Sequence, residues 1–218
     1  EEQKMKSILA CTVAMLMVTG VASAQWSQDF NGGGTFPPAG WTVDDLLGSS
    51  FCAGWDYNYN LIDETDPRGN FSSGDGGAAH IDTDIRPTGE SGPYDVALVT
   101  PSFTVPAGAS LDFMLNYQAL GGDSALVDIN TGSGWTNLVT YTTVEGGFPT
   151  YPYSGDEAIG VAKSLSLGAY AGADAQIRFR YAGDGWNWWM QVDDIAVTPE
   201  PASMALLALG GLALIRRR

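Results

Sequence analysis

A strict alternation of apolar and other residues constrains the fold of this chain more than any other feature. The apolar residues of one stretch are Leu111, Phe113, Leu115 and Tyr117, and residues 176–181 follow the same period. Similar short runs cover residues 97–103, 125–131, 138–143, 163–167 and 190–197. A period of two, interrupted by Gly, Pro, Asp and Ser, is typical of strands in a sandwich or barrel. The sequence therefore predicts an all-β fold, with long loops before Ala97.

The first 24 residues have the pattern of a secretory signal peptide. A basic start at residues 4–6 precedes an apolar stretch over residues 8–21, and small residues end at Ala24. This order of basic, apolar and small residues is what a signal peptidase recognises. We expect a short hydrophobic helical segment here, cleavage after Ala24, and export of the chain.

The other terminus, residues 198–218, predicts a second sorting signal. Its apolar run extends from Ala202 to Ile215, 14 residues, whereas a membrane-spanning helix needs roughly 17–25. Pro199, Glu200 and Pro201 precede the run, and three arginines follow it. A C-terminal core helix is the alternative, but a core helix keeps one polar face and this run has none. We expect a short helical segment that is recognised and then removed.

Between the two ends, residues 25–197 form one domain long enough to bury a core. This body carries five Lys and Arg against 22 Asp and Glu, a formal charge of −17. Such a surface repels phosphate backbones, so we expect no nucleic-acid partner.

Catalytic signals are weak in this body. His80 is the single histidine, and no G-x-S-x-G motif accompanies it. Glycoside hydrolysis needs two suitably spaced carboxylates, and a chain with 22 acids contains such pairs by chance. The sequence therefore favours a protein that is not an enzyme, and an extracellular polysaccharide hydrolase is the less favoured alternative.

Oxygen-bearing side chains near both ends of the domain suggest a calcium site. Asp29 and Asn31 lie at its start, and Asp193 and Asp194 lie on its last predicted strand. Pairing of the terminal strands would bring these Ca²⁺-type ligands together. The alternative is that they are solvated acids that protect a sheet edge from aggregation.

Two aromatic clusters suggest a sugar-binding surface. Trp186, Trp188 and Trp189 crowd the segment GDGWNWWMQ, and Trp55 and Tyr57 belong to WDYNYN. Flat aromatic faces beside Asp and Asn suit stacking on sugar rings and hydrogen bonding to hydroxyls. Core packing is the alternative. For adjacent Trp188 and Trp189, strand alternation places one side chain inward and the other outward.

Six motifs follow one another along the body in this order: DFNGGGTFPPAGWTVDD, LVTPSF, LDF, GW, SLSLGAYAGADAQIRFRY and VDDIAV. Together they resemble the bacterial choice-of-anchor J domain, a relative of the cleaved-adhesin and MAM domains. The C-terminal segment resembles the PEP-CTERM sorting signal. The first resemblance implies a jelly-roll β-sandwich and a bound calcium or similar cation. The second implies transient anchoring in the inner membrane of a Gram-negative bacterium, cleavage by an exosortase-type protease, and delivery to the cell surface or matrix.

These observations together predict a secreted, non-enzymatic surface protein. We expect it to mediate adhesion or to organise exopolysaccharide in a biofilm, with an extracellular polysaccharide or cell-surface glycan as its partner. A dedicated carbohydrate-binding module is the alternative.

Overall fold

A computed structural model of the chain describes residues 25–199 except 49, 51, 53, 64 and 86–91. Its strands are β1 (Trp26–Gln28), β2 (Thr42–Asp45), β3 (Asp56–Tyr57), β4 (Ile62–Asp63), β5 (Asp66–Pro67), β6 (Ala79–Asp82), β7 (Pro93–Val99), β8 (Phe103–Thr104), β9 (Ser110–Tyr117), β10 (Ser124–Asn130), β11 (Trp135–Tyr141), β12 (Val161–Ser166), β13 (Asp174–Asp184) and β14 (Trp189–Thr198). Single turns of 3₁₀ helix occupy Asn58–Asn60 and Gly168–Tyr170.

Two antiparallel sheets form a sandwich. The first sheet has the order β12-β9-β14-β6-β3, and β1 pairs with the end of β14. The second sheet has the order β11-β10-β13-β7-β2, with β8 on β13. A small hairpin of β4 and β5 stands apart. The prediction of an all-β sandwich is confirmed, whereas the helical segments expected at both termini lie outside the described residues.

The alternation in the sequence produces the core between the sheets. Leu111 and Phe113 of β9 and Ile177 and Phe179 of β13 are all buried, because alternate residues of a strand face the same side. The Phe113 and Phe179 rings meet edge to face across the sandwich, with 5.2 Å between centroids. Burial of such side chains contributes roughly 1.5–3 kcal/mol each.

The outer faces of the two sheets differ. On the second sheet the outward side chains of β13 form ion pairs near the solvent, Arg178 with Asp128 and Arg180 with Asp95. On the first sheet the outward residues of β6 and β14 are buried instead. The part of the first sheet formed by β6 and residues 189–193 of β14 is therefore covered on both faces, whereas the outer face of β12 remains open.

Two irregular segments cover the outer face of the first sheet. We call residues 68–77 the first covering segment and residues 145–160 the second. The Gly69 amide donates to the Tyr153 carbonyl at 2.9 Å, and the Glu157 amide donates to the Asn70 carbonyl at 2.9 Å. Gly69 permits this approach, since a Cβ there would lie 2.2 Å from the Gly155 carbonyl oxygen. The two segments therefore form a third layer on the sandwich.

Strand β14 continues to Thr198, one residue into the segment that the sequence assigns to the sorting tail. Among the described residues, no helix has the length and hydrophobicity required to cross a bilayer.

Candidate functional site

Polar side chains fill the space between the first sheet and its covering segments. They come from three neighbouring strands and are buried. These side chains are His80, Asp82, Asn116, Gln191 and Asp193. Buried polar groups cost free energy unless they form hydrogen bonds, so the geometry of this layer is strongly constrained.

Gln191 joins the first covering segment to the sheet. Its carbonyl oxygen accepts the Phe71 amide at 2.6 Å, and its amide nitrogen donates to the Gly69 carbonyl at 2.8 Å. The same nitrogen contacts Nδ1 of His80. One side chain on β14 therefore holds the backbone of residues 69–71.

His80 is neutral within this layer. Its full burial lowers the pKa of the imidazole, although the neighbouring Asp82 acts in the opposite direction. Nε2 lies 3.4 Å from the Asp82 carboxylate, so Nε2 carries the proton and Nδ1 accepts from Gln191. The histidine is a structural bridge between two buried side chains.

Arg68 supports the aromatic side chains that lie above this layer. Its Nε donates to Asp82 at 2.9 Å, and its guanidinium carbon lies 5.5 Å from the ring centroids of both Tyr153 and Trp189. Burial alone would raise the pKa of Asp82, but the hydrogen bond from His80 and the charge of Arg68 lower it overall. The result is a buried ion pair beneath two aromatic rings.

Four aromatic side chains form one cluster near the start of β14. We call this cluster the aromatic surface. Its members are Phe148, Tyr151, Tyr153 and Trp188. The centroid of Phe148 lies 5.1 Å from that of Trp188 and 5.6 Å from that of Tyr153, and the Tyr151 and Tyr153 rings are 5.4 Å apart. Phe148 is 50% exposed and Tyr151 is 69% exposed. An exposed aromatic patch of this kind marks an interaction site more often than a fold requirement.

The aromatic residues that the sequence predicts to bind a ligand fall into two groups in the structure, one accessible and one buried. Trp186 is 56% exposed and Trp188 is half-buried, so both remain candidates for ligand contact. The assignment of Trp55, Tyr57 and Trp189 to a ligand surface is wrong, because all three side chains are buried. Each of them belongs to the packed interior.

The buried tryptophans are held by hydrogen bonds as well as by packing. The Trp55 indole donates to the Val96 carbonyl at 3.2 Å, and the Trp189 indole donates to the Asn116 side chain at 2.8 Å. As predicted for the adjacent pair, Trp188 and Trp189 differ in environment, but Trp189 lies beneath the second covering segment rather than between the sheets.

Sequence reasoning missed three members of the aromatic surface. Phe148, Tyr151 and Tyr153 lie in the stretch FPTYPY, about 40 residues before Trp188. The signal was the density of aromatic and proline residues in one loop. Only the fold of the second covering segment places this loop beside Trp188.

The four predicted metal ligands lie near one another beside the middle of β14. The Asp29 carboxylate accepts the Asn31 amide at 3.1 Å, and the Asn31 side-chain oxygen accepts the Gly77 amide at 2.8 Å. Burial raises the pKa of Asp194, and the charges of Asp29 and Asp75 raise it further. These carboxylates are therefore close enough to repel one another.

Asp193 differs from Asp194 because it is buried. Its carboxylate accepts hydrogen bonds from Asn70 at 2.8 Å and from the Ser73 hydroxyl at 2.6 Å. Among residues 25–199 as described, no three or more His, Cys, Asp or Glu side chains are arranged to hold a metal ion. Asp193 is therefore placed to fix the first covering segment.

A groove of about 310 Å³ lies on the open part of the first sheet, away from the covering segments. It is lined by Asp112, Phe113, Met114, Ala162, Lys163, Ser164 and Asp194. The Asp112 carboxylate is occupied by the hydroxyls of Ser110 and Ser164, at 2.9 and 2.6 Å. None of the four side chains of the aromatic surface lines this groove.

Comparison with known proteins identifies the tail and the fold. Residues 197–218 match the PEP-CTERM protein-sorting motif, which confirms the predicted sorting signal. Four residues are predicted to mark the two processing sites. The structure describes Pro199, whereas Ala24, Glu200 and Pro201 lie outside the described residues.

The chain is 26% identical over 185 residues to hemagglutinin A of Porphyromonas gingivalis, an alignment that covers 76% of this chain but 8% of that protein. Two cleaved adhesin domains of Lys-gingipain from the same organism superpose with a TM-score of 0.58, at 18% and 21% identity. The alignments cover 80% and 81% of this chain and 98% and 99% of those domains.

A carbohydrate-binding module of Caldicellulosiruptor saccharolyticus, solved in complex with mannohexaose, superposes with a TM-score of 0.51 at 17% identity. That alignment covers 81% of this chain and 98% of the module. The chain therefore has the sandwich fold that adhesin and carbohydrate-binding domains share.

Asp193 makes the stability of the domain depend on pH. Burial raises its pKa to about 6, despite its hydrogen bonds. A carboxyl whose pKa is higher in the folded state is stabilising when protonated, so its contribution is present below about pH 4 and is lost as the pH rises through about 6. Relative to Asp193→Asn, we expect the wild-type free energy of unfolding to fall by up to about 3 kcal/mol across this interval.

Urea unfolding at several pH values, with a chelator present, measures this difference. The exposed Asp184→Asn variant is the control and should retain the wild-type slope. Parallel stability curves for wild type and Asp193→Asn would contradict the assignment.

Proposed function

We propose that this protein is an exported, non-enzymatic surface protein that binds extracellular polysaccharide through the aromatic surface. The observation that carries the proposal is the cluster of Phe148, Tyr151, Tyr153 and Trp188, which is exposed on a chain that is otherwise strongly acidic. A sugar ring stacks on an aromatic face through its C–H groups, with a contribution on the order of 1 kcal/mol per contact.

The layer beneath the aromatic surface supports this role. Arg68, Asp82 and Gln191 tie the covering segments to the sheet, so the rings are held in place before a ligand arrives. Preorganisation lowers the entropic cost of binding. The acidic side chains of Asp156 and Glu157, in the same segment as Tyr153, supply hydrogen-bond acceptors of the kind that sugar hydroxyls use.

The similarity to hemagglutinin A and to a module solved with mannohexaose favours a binding role over a catalytic one. The state of His80 also favours it, because the single histidine of the chain is buried, neutral and occupied by Gln191 and Asp82. The groove beside Asp112 does not favour a hydrolase, since the hydroxyl groups of Ser110 and Ser164 already donate hydrogen bonds to that carboxylate.

The sorting motif supports the proposed location. We infer that the domain is of the choice-of-anchor J type. Its tail holds the precursor briefly in the inner membrane of a Gram-negative bacterium until an exosortase-type protease cleaves near Pro199, Glu200 and Pro201. The released domain then acts at the cell surface or in a biofilm matrix, where it mediates adhesion or organises exopolysaccharide. Weak single sites would be strengthened there by multivalent display.

Loss of rings from the aromatic surface should abolish polysaccharide binding. We expect Trp188→Ala and Tyr151→Ala to lose retention in affinity electrophoresis, first with mannan and then with the polysaccharides that bind wild type on a glycan array. Tyr151 is largely exposed, so its replacement should leave the melting temperature nearly unchanged.

Ile62→Ala is the matched control, because it removes a 54% exposed apolar side chain from another part of the surface. It should bind like wild type. If Tyr151→Ala and Trp188→Ala both remain folded and bind like wild type, or if wild type binds no glycan on the array, the proposed function is wrong.

Calcium binding is a second proposal, and its site is Asp29 and Asp194 with the oxygens of Asn31. Carboxylate, amide and carbonyl oxygens are the ligands that Ca²⁺ prefers. Burial and the charges of Asp29 and Asp75 raise the pKa of Asp194. A bound cation would relieve the part of this effect that comes from repulsion, while Asp193 fixes the neighbouring backbone.

If this proposal is correct, millimolar Ca²⁺ should raise the melting temperature, because an ion that binds the folded state stabilises it. The Asp194→Ala variant should lose most of that increase, and Asp184→Ala should keep it. Melting curves that do not respond to calcium or to a chelator would show that these acids are ordinary surface charges.

A further inference from the structure

The described chain starts and ends at the same end of the sandwich. Trp26 of β1 is paired with Val197 of β14, and the amide of Gln25 donates to the Val197 carbonyl at 2.8 Å. The Thr198 hydroxyl, at the end of β14, is bonded to Ser110 at 2.8 Å. The signal peptide and the sorting tail therefore join the domain at neighbouring points, and we call this end the anchor end.

The aromatic surface lies at the opposite end. Strand β14 begins at Trp189, next to Trp188, and finishes at Thr198 after ten residues. At a rise of about 3.3 Å per residue the strand separates the two ends by about 30 Å.

The loops of the anchor end carry no charged residue. Five loops or turns lie there, as the pairing of the strands that they connect shows. They are residues 37–40 (PPAG), 100–102 (TPS), 105–109 (VPAGA), 131–134 (TGSG) and 167–173 (LGAYAGA). In a body with 22 acids, five uncharged loops at one end form a distinct surface.

The acids closest to the anchor end are engaged within the domain. The Asp174 carboxylate accepts the Thr104 hydroxyl at 2.7 Å, and the Asp112 carboxylate accepts hydroxyls from Ser110 and Ser164. At the other end of β13, by contrast, the Asp184 side chain is exposed. The second covering segment adds Asp156 and Glu157, whose carboxylates accept the amides of Asn70 and Thr150 at 2.7 Å. The loops of the anchor end therefore carry no charge of their own, and the nearest exposed carboxylate is that of Asp174 at the start of β13.

The length of the tail brings the anchor end close to the membrane. Three residues, Pro199 to Pro201, separate Thr198 from the apolar run that starts at Ala202. Three residues span at most about 10 Å, close to the Debye length of roughly 8–10 Å at physiological salt. Acidic loops at that distance would be repelled by anionic lipids, whereas uncharged loops are not.

We propose that the anchor end is a membrane-facing surface. While the tail is attached, the uncharged loops lie against the lipid bilayer and the aromatic surface points away from it. The second part rests on the proposed function, since it places the polysaccharide site about 30 Å from the lipid. Membrane contact rests on the anchoring of the tail that the proposed function includes, and it is argued from the strand register, the uncharged loops and the short spacer.

The experiment uses the full chain in vesicles of phosphatidylethanolamine and phosphatidylglycerol that contain a nickel-chelating lipid. Single spin labels are placed at three exposed positions in a background where Cys11 and Cys52 are replaced by Ser. Ser133→Cys and Ala169→Cys report on the anchor end, and Leu120→Cys reports on the loop between β9 and β10 at the aromatic end. We expect nickel to accelerate relaxation at 133 and 169 and to leave 120 unaffected.

A variant with added negative charge tests whether the uncharged loops are the reason for the lipid contact. Ala107→Asp combined with Ala169→Asp should weaken the nickel contact of a label at 133 on these anionic vesicles but not on phosphatidylcholine vesicles. The matched Ala107→Asn and Ala169→Asn pair should behave like wild type, and circular dichroism checks that both variants fold.

Equal relaxation at all three positions, or stronger relaxation at 120, would overturn the proposal. So would contact at 133 and 169 that appears only when an exosortase is present in the vesicles, because the partner would then be the protease. Polysaccharide retention measured on the same samples separates the two proposals: loss of lipid contact with intact retention contradicts only the membrane-facing surface.

Discussion

The buried polar layer on the outer face of the first sheet is the constraint on which the rest of the molecule depends. A sandwich normally leaves the outer faces of its sheets to water, but here Gln191, His80 and Asp82 are sealed beneath two irregular segments. Each of these side chains must find a partner, since an unsatisfied buried group costs about 1–3 kcal/mol. The backbone of residues 69–71 and the Arg68 guanidinium meet this requirement. The covering segments are thereby fixed in position, and with them the rings of Tyr153 and Phe148.

This layer also explains why one end of the sandwich differs from the other. The second covering segment reaches the start of β14 and carries its aromatic residues to Trp188, whereas short uncharged loops rich in Gly, Ala and Pro lie at the end of β14. A single strand thus connects the polysaccharide site that we propose to the point where the tail begins. The two proposals depend on different residues of one rigid framework.

The fold could be predicted from the sequence, but much of the site could not. Alternation along β9 and β13 identified the core, because the period of a strand determines which residues share a face. It does not reveal whether the other face is covered. The contact between Gln191 and Phe71 joins residues 120 positions apart, and no local pattern encodes it. For that reason the sequence includes Trp189 among the candidate ligand-binding residues and leaves out Phe148, Tyr151 and Tyr153.

A crystal structure of the domain with an oligosaccharide selected on a glycan array would test the central claim most directly. We predict that a sugar ring stacks on Trp188 or Tyr151 at the aromatic end, with the covering segments unchanged in position. A sugar bound instead in the groove beside Asp112 and Lys163, with the aromatic surface free, would contradict the account.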